Sequence, residues 1–267
     1  MEREVPIVDL EDFALELART AGGIALAHFR KPISVHDKGQ GVFDPVTTAD
    51  RAIERVLRAQ IAERYPDHGI VAEEEGSRAG TASYTWFIDP IDGTRSFMLG
   101  SPLWGTLIGV THHEVPLFGL LCQPVLEEIF FGGPSGGWLV KPDRRERLKA
   151  RACRRLADAA LTTTDPALFT ASEARAFDAL ASRCLLRRFS GDCYNYAMLA
   201  AGFVDLVVES GLKAYDIVPI IPILEGAGAV VTDWQGRAPL AGGSVIAAAT
   251  PALHAEALAV LQAETSE

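Results

Sequence analysis

The sequence predicts an α+β protein built in two halves. Three patterns lead to that class. The chain opens with two stretches of apolar residues at helical spacing. A series of short strand-like runs follows, broken by Gly, Pro and polar residues. The remainder alternates between strand and helix patterns. Successive strands after helices, then alternation, describe an antiparallel sheet joined to an α/β layer. The charge-dense segment 141–149 separates the two, so the expected halves are residues 1–140 and 141–267.

The elements follow in order. Leu10, Phe13, Leu17, Ala21, Ile24 and Ala25 recur at helical spacing and predict a helix ending near Phe29, ahead of Pro32. A polar, Gly-bearing loop is expected over residues 37–45. Thr47, Thr48 and Asp50 offer N-caps for a second helix with Ile53, Val56, Leu57 and Ile61 on its apolar face, stopped at Tyr65-Pro66. Strands are expected at 69–71, 84–88, 106–111, 117–123, 128–131 and 138–141, with His112-His113 as a turn. Beyond the boundary the expected helices cover 172–182, 194–201, part of 220–228, and 251–262. The expected strands there cover 185–189, 204–208, 230–232 and 245–249.

Composition narrows the function. The chain has 267 residues, 48% hydrophobic and 22% charged, enough to bury a core without disulfides or a structural metal. With 35 Asp+Glu against 25 Lys+Arg, the formal charge of −10 argues against nucleic-acid binding, which draws on Lys/Arg clusters. The four cysteines form no C-x-x-C pair, so neither a zinc site nor a redox motif is indicated. No secretory leader pattern follows Met1, and the aliphatic run 217–224 is far too short for a membrane span. The expectation is a reduced, cytoplasmic protein with a small-molecule partner, and neither nucleic acid nor membrane.

The decisive stretch is Trp86-Phe87-Ile88-Asp89-Pro90-Ile91-Asp92-Gly93-Thr94, an apolar strand running into two carboxylates at a proline-stiffened turn. Hard divalent cations take oxygen ligands, and Mg²⁺ is held by one or two carboxylates plus phosphate and water. Asp89, Asp92 and the Ile91 carbonyl can converge on such ions. Gly93 and Thr94 can offer backbone N–H groups to a phosphate if a helix begins there. The plain alternative is an ordinary turn with Asp as turn former. Glu73-Glu74-Glu75 reads either as a solvated surface run or as part of a cation site. Asp216 reads either as a helix N-cap or as a further ligand, with Pro219 and Pro222 making the following helix start irregular.

Taken as a set, the acid run after a strand, the Asp-Pro-Ile-Asp-Gly-Thr turn and the later Asp216 resemble the inositol monophosphatase family, from the Thr-x-x-Asp entry to the second helix onward. The resemblance implies a layered αβαβα fold, metal-assisted hydrolysis of phosphomonoesters, Mg²⁺ as cofactor and a homodimer. It assigns Glu73, Asp89, Asp92, Asp216 and the Ile91 carbonyl as metal ligands. Glu74 becomes the outer acid that orients a water, and Thr94 with Asp50 the dyad that accepts the water's proton.

Within the family, the segments Phe189-Ser190-Gly191-Asp192-Cys193-Tyr194-Asn195-Tyr196 and Glu209-Ser210-Gly211-Leu212-Lys213-Ala214-Tyr215-Asp216 resemble the histidinol-phosphatase branch, as does Ile221-Pro222-Ile223-Leu224-Glu225-Gly226. That branch implies L-histidinol phosphate as substrate, with Gly93, Thr94, Asp192, Glu209 and Asp216 lining its site. Carboxylates at Asp192 and Glu209 suit a cationic substrate; the plain alternative for Asp192 is an N-cap. Arg187 or Arg188 is a candidate to approach the substrate across a dimer interface. An inositol, sugar or nucleotide 3′-phosphate as substrate is the alternative, and a non-catalytic binding protein on the same fold the remote one.

Overall fold

The computed structural model describes residues 5–32, 35–37 and 45–265. The first helix, α1 (Ile7–His28), leads through the short strands β1 (Val35–Asp37) and β2 (Pro45–Thr47) to α2 (Thr48–Arg64). Next come β3 (Gly69–Ala72), β4 (Ser77–Arg78), β5 (Tyr84–Asp92), α3 (Thr94–Met98), β6 (Gly105–His112), β7 (Val115–Gln123), β8 (Glu128–Gly133), β9 (Gly136–Val140) and β10 (Arg145–Arg147). The remainder runs β11 (Ala160–Thr163), α4 (Ala171–Ala181), β12 (Leu186–Phe189), α5 (Cys193–Ala200), β13 (Leu206–Lys213), α6 (Ala214–Ile217), α7 (Ile221–Gly226), β14 (Val230–Asp233), β15 (Gly242–Ala248) and α8 (Pro251–Thr265).

Two sheets organise these elements. One has eight strands in the order β10-β9-β8-β7-β6-β5-β3-β4, the other five in the order β12-β11-β13-β15-β14. The eight-stranded sheet is antiparallel except where β3 runs parallel to β5. In the five-stranded sheet β12, β11 and β13 are parallel, and β15 and β14 antiparallel.

Side-chain alternation along each strand turns these sheets into a five-layer stack. On β6, Ile108 and Val110 point into a core shared with Leu10, Leu17, Ile53 and Leu57 of α1 and α2. Leu107, next to Ile108, points the other way, into a core shared with α5 and α7. That middle core also takes Val207, Val245 and Ala247 from the second sheet. Their neighbours Leu206, Val208, Ile246 and Ala248 pack the opposite face, against Phe177 and Leu180 of α4 and Leu253 and Leu261 of α8. The order is therefore helices α1/α2, sheet, helices α5–α7, sheet, helices α4/α8: the αβαβα layering that the resemblance implied.

Contact between the first sheet and the middle helices is unusually close. Gly109, Gly119, Gly132 and Gly137 are cross-strand partners that form a stripe over β6, β7, β8 and β9. A Cβ on Gly119 would sit 1.9 Å from the Pro219 carbonyl oxygen, and one on Gly132 2.2 Å from that of Pro222. The backbone of residues 219–223 thus rests directly on sheet backbone. This accounts for both prolines. Pro219 lies between α6 and α7 and Pro222 in the first turn of α7, positions where a missing N–H breaks no helical bond.

Most elements lie within a few residues of the sequence expectation, and the differences have physical causes. Asp37 and Pro45, expected in a loop, belong to the antiparallel pair β1–β2, while the middle of that loop (38–44) lies outside the described residues. Strand β11 was not expected because Ala160-Leu161-Thr162-Thr163 has neither an apolar run nor clear alternation; its place between β12 and β13 decides it. Strand β10 falls inside the charge-dense segment and pairs with β9, carried by a fully exposed sheet edge. The turn after His112 is made by His113 and Glu114, both at positive φ. Among the described residues no helix is long and apolar enough to cross a membrane.

Candidate active site

The ends of β3, β5, β11 and β13 and the starts of α3, α5 and α6 converge on one cavity of about 260 Å³. Six carboxylates line it: Glu73, Asp89, Asp92, Asp192, Glu209 and Asp216. Among the described residues that line it, Arg95 and Lys213 are the basic ones.

A β-bulge brings the two central aspartates together. In a regular strand, residues three apart face opposite sides of the sheet. The β5–β6 register shifts between Asp89 and Asp92, where Pro90 and Ile91 form a bulge and Thr106 Oγ1 donates to the Pro90 carbonyl at 2.8 Å. The bulge re-aims Asp92 to the side of Asp89. Oxygens of Asp89, Asp92 and Asp216 then lie within 4.8 Å of one another. A second bulge, in β13 between Glu209 and Leu212, shapes the opposite wall.

Each acid is held differently. Asp89 is 2% exposed, and its Oδ1 is buried with no hydrogen-bond partner among the described residues. Burial, then the charges of Glu73, Asp92 and Asp216, drives its carboxyl well above the usual range. Asp92 accepts the Cys193 N–H at 2.5 Å, at the N-terminus of α5; burial raises its carboxyl and this bond opposes the shift. Asp216 is not the N-cap of α6 but the third residue of its first turn, where it accepts the N–H of the N-cap residue Lys213 at 2.7 Å; it also faces Asp89 and Asp92. Its carboxyl is raised well above the usual range by burial and by Asp92. Glu73 lines the same space at the end of β3.

Asp192 occupies the N-cap position of α5, but its side chain makes no cap hydrogen bond. Oδ2 instead accepts from Ser96 Oγ at 3.0 Å, beside Gly93, where a Cβ would meet it at 3.0 Å. Burial and the Asp92 charge push this carboxyl up to about 7. Glu209 is buried in the far wall. Oε1 accepts from Thr164 N at 2.8 Å and Thr164 Oγ1 at 2.9 Å, and Oε2 from Thr163 Oγ1 at 3.3 Å; burial still lifts it to about 8.

Gly93, at φ +89°, caps α3, so the first-turn amides of that helix have no intrahelical acceptor. Thr94 Oγ1 donates to the Ile91 carbonyl at 3.1 Å. Asp50 is fully buried under the α2 cap, where its Oδ2 accepts from Thr47 N at 2.9 Å and from Thr47 Oγ1. Burial pushes its carboxyl up to about 6, and Glu73 adds to the shift. Among the described residues no hydrogen bond joins Thr94 to Asp50. Asp50 and Glu74 are not among the residues lining the cavity, nor are Arg187 and Arg188, which are exposed on the sheet-edge strand β12.

Several residues at the site were not anticipated. Thr164, Leu168, Cys193 and Tyr196 line the cavity without any recognisable spacing signal. Glu54 was legible: at 50, 53, 54, 57 and 61 two acids share the buried stripe of α2 with three aliphatics, and a carboxylate on an apolar stripe asks for a partner.

The donor set fits a hard divalent cation. It consists of carboxylate and carbonyl oxygens, includes an unpaired buried oxygen on Asp89, and concentrates negative charge that repels itself when nothing neutralises it. A layered fold that gathers such a carboxylate cluster at its strand ends is suited to metal-assisted phosphate-ester chemistry. Comparison with known proteins agrees: the model of the inositol monophosphatase family matches residues 8–266, and the chain belongs to that family. It is 37% identical to the chloroplastic bifunctional phosphatase IMPL2 of Arabidopsis thaliana, over 97% of this chain and 78% of that one. It is 30% identical to a histidinol-phosphatase of Chlorobaculum parvum, over 93% and 95%. Among solved structures, an inositol monophosphatase from Zymomonas mobilis superposes with a TM-score of 0.85 at 36% identity, covering 97% of this chain and all of that one.

Proposed function

We propose that the protein hydrolyses L-histidinol phosphate with the help of Mg²⁺. The observation that carries the reading is that the cavity holds two carboxylates, Asp192 and Glu209, beyond the Glu73, Asp89, Asp92 and Asp216 set. Spare acids suit a substrate with a cationic end; a neutral polyol would call for hydroxyl and amide partners. Relatives named histidinol-phosphatase, at 30% and 31% identity, support it.

Glu73, Asp89, Asp92, Asp216 and the Ile91 carbonyl would hold the metal. A divalent ion supplies charge neutralisation for phosphoryl oxygens and makes water more acidic. The chain's own residues do the rest. First-turn amides of α3, opened by Gly93 and Thr94, face the phosphate. Thr94 Oγ1 takes the water's proton while passing its own hydroxyl proton to Asp50, a relay for which the hydroxyl turns away from the Ile91 carbonyl, and Glu74 orients that water. Among the described residues Asp50 Oδ1 has no hydrogen-bond partner, and a carboxyl pushed up to about 6 suits a base near neutral pH. Asp192 and Glu209 bind the amine-bearing end, while Gly93, Thr94 and Asp216 line the phosphate end. A homodimer and a reducing, cytoplasmic setting belong to the same reading. Exposed Leu186 and Phe189 beside Arg187 and Arg188 on an edge strand, and four free cysteines, support these.

A second reading, an inositol or other small sugar or nucleotide phosphate as substrate, is favoured by the Zymomonas mobilis inositol monophosphatase at 36% identity. Phosphate release from histidinol phosphate, inositol 1-phosphate and 3′-phosphoadenosine 5′-phosphate decides between them. A kcat/KM for inositol 1-phosphate equal to or above that for histidinol phosphate overturns the first. Asp192→Asn should lower kcat/KM for histidinol phosphate about 10 to 150-fold, the worth of one charge-assisted hydrogen bond. Hydrolysis of glycerol 2-phosphate should hardly change. Equal losses on both would return Asp192 to a structural role.

A further inference from the structure

We propose that Glu54 is a positioning residue of this site, whose buried carboxylate grips the backbone after Glu73 and so aims Glu73 into the cavity. The inference rests on the reading of Glu73 as an ion ligand. Glu54 lies one helical turn after Asp50 on α2 and is fully buried. Its Oε2 accepts the Glu74 N–H and its Oε1 the Glu75 N–H, both at 2.7 Å. One carboxylate oxygen on each of two successive amides fixes the rotation of the loop as well as its position.

Arg58, one turn further along α2, completes the grip. Its Nη1 donates to Glu54 Oε1 at 3.2 Å and to the Gly76 carbonyl at 2.8 Å, and its Nε lies 3.7 Å from Glu75 Oε2. Two side chains of one helix therefore hold three consecutive backbone groups of the acid loop. The chemistry makes sense only as a grip. A fourth carboxylate buried beside Glu73, Glu74 and Glu75 is unfavourable unless its hydrogen bonds compensate, whereas an apolar residue would fill the same space without that penalty. The three loop acids repel one another, and the grip fixes the backbone from which Glu73 turns inward. Because Asp50 and Glu54 share one face of α2, the grip also ties the loop to the helix that carries Asp50.

The test is Glu54→Gln, which keeps the shape but sets an N–H against one of the two backbone N–H groups. Three quantities are measured on the full chain: hydrogen exchange at the Glu74 and Glu75 amides without metal, the Mg²⁺ Kd by calorimetry, and phosphate release. Exchange at these amides should accelerate about 10 to 150-fold, as expected for a lost hydrogen bond to a charged group. The Mg²⁺ Kd should rise about 10 to 100-fold, the usual effect of removing a group that orients a ligand. Raising Mg²⁺ to saturate the weaker site should restore kcat. An unchanged Kd overturns the proposal, whether exchange accelerates or Tm falls, because Glu54 would then be merely structural. Unchanged amide exchange overturns it as well. Should Glu54→Gln fail to fold, Arg58→Met removes the outer half of the grip; it should move exchange and Kd in the same direction, and no change in either overturns the proposal. Wild-type protein with protected amides that binds no Mg²⁺ would overturn the positioning role through failure of the ion-site reading, and the protected amides would locate the fault there.

Discussion

Asp89, Asp192 and Glu209 show what burial does to an acid when its neighbours carry the same charge. In metal-free protein the folded state binds protons that the unfolded chain has already released. Asp50 at about 6, Asp192 at about 7 and Glu209 at about 8 all stand above their ordinary values of 3.8, 3.8 and 4.5. The sign follows from linkage. A carboxyl with a raised folded pKa contributes stability that is complete below the unfolded value and lost as pH rises through the folded one. Metal-free Tm should therefore fall as pH rises from about 5 to about 8, and added Mg²⁺ should raise Tm more at pH 8 than at pH 5.5. A metal-free Tm that climbs over this window would show that the acids are not crowded as described. Asp89→Asn removes one of the opposed charges. At pH 8 it should raise metal-free stability, by about 1.4 kcal/mol for each pKa unit relieved among its neighbours. It should also abolish the Mg²⁺-induced rise in Tm and cut activity more than about 100-fold, beyond the effect of losing an orienting group. Denaturation curves with and without metal, with phosphate release, check all three.

At the scale of the element, site geometry comes from irregularities in otherwise regular structure: bulges in β5 and β13 and helix starts at Thr47, Gly93 and Asp192. These differ in how well the sequence announces them. The Thr47-to-Asp50 capping box and the Asp-Pro-Ile-Asp-Gly-Thr turn are local devices, and local chemistry is legible. The helix that the turn was read to allow does begin at Thr94. The Glu209 wall is not local. Its carboxylate is placed by Thr163 at the end of β11 and Thr164 just beyond it, on a strand that only its neighbours define, so no reading of nearby residues reveals the partner. Likewise Ser96 and Asp192 meet across 96 positions of sequence. The α2 cap joins stability and chemistry. Thr47→Val keeps the volume and removes the hydroxyl that accepts from Ala49 N and bonds Asp50. It should cost about 1–2 kcal/mol, as N-cap losses do. If Asp50 accepts the proton, the same change should lower kcat at saturating substrate. Urea denaturation and steady-state kinetics separate the two effects; a stability loss with kcat untouched would leave Asp50 a capping residue only.

Across the whole molecule, patterning gave an antiparallel sheet joined to an α/β layer, while the five-layer order was implied only by the family resemblance. Strands such as β6, buried on both faces, need apolar partners on both sides, and stacked helices provide them. The spacing between layers was not legible, since four glycines on four strands are unrelated until the sheet brings them into register. A substitution there should act at a distance. Gly119→Ala places a methyl against the Pro219 carbonyl and must push the middle layer away, at a cost of about 1–3 kcal/mol or more. Asp216 lies three residues before Pro219, so its alignment with Asp89 and Asp92 should suffer. A weaker Mg²⁺ response from a protein with every candidate ligand intact is the expected result, read by calorimetry. The glycine stripe also has an entropic meaning. A joint made of backbone against backbone freezes no side-chain rotamers when it forms, and offers none to loosen on warming. Its span is set by van der Waals radii alone, so the two halves of the carboxylate cluster meet at a distance with no soft degree of freedom between them.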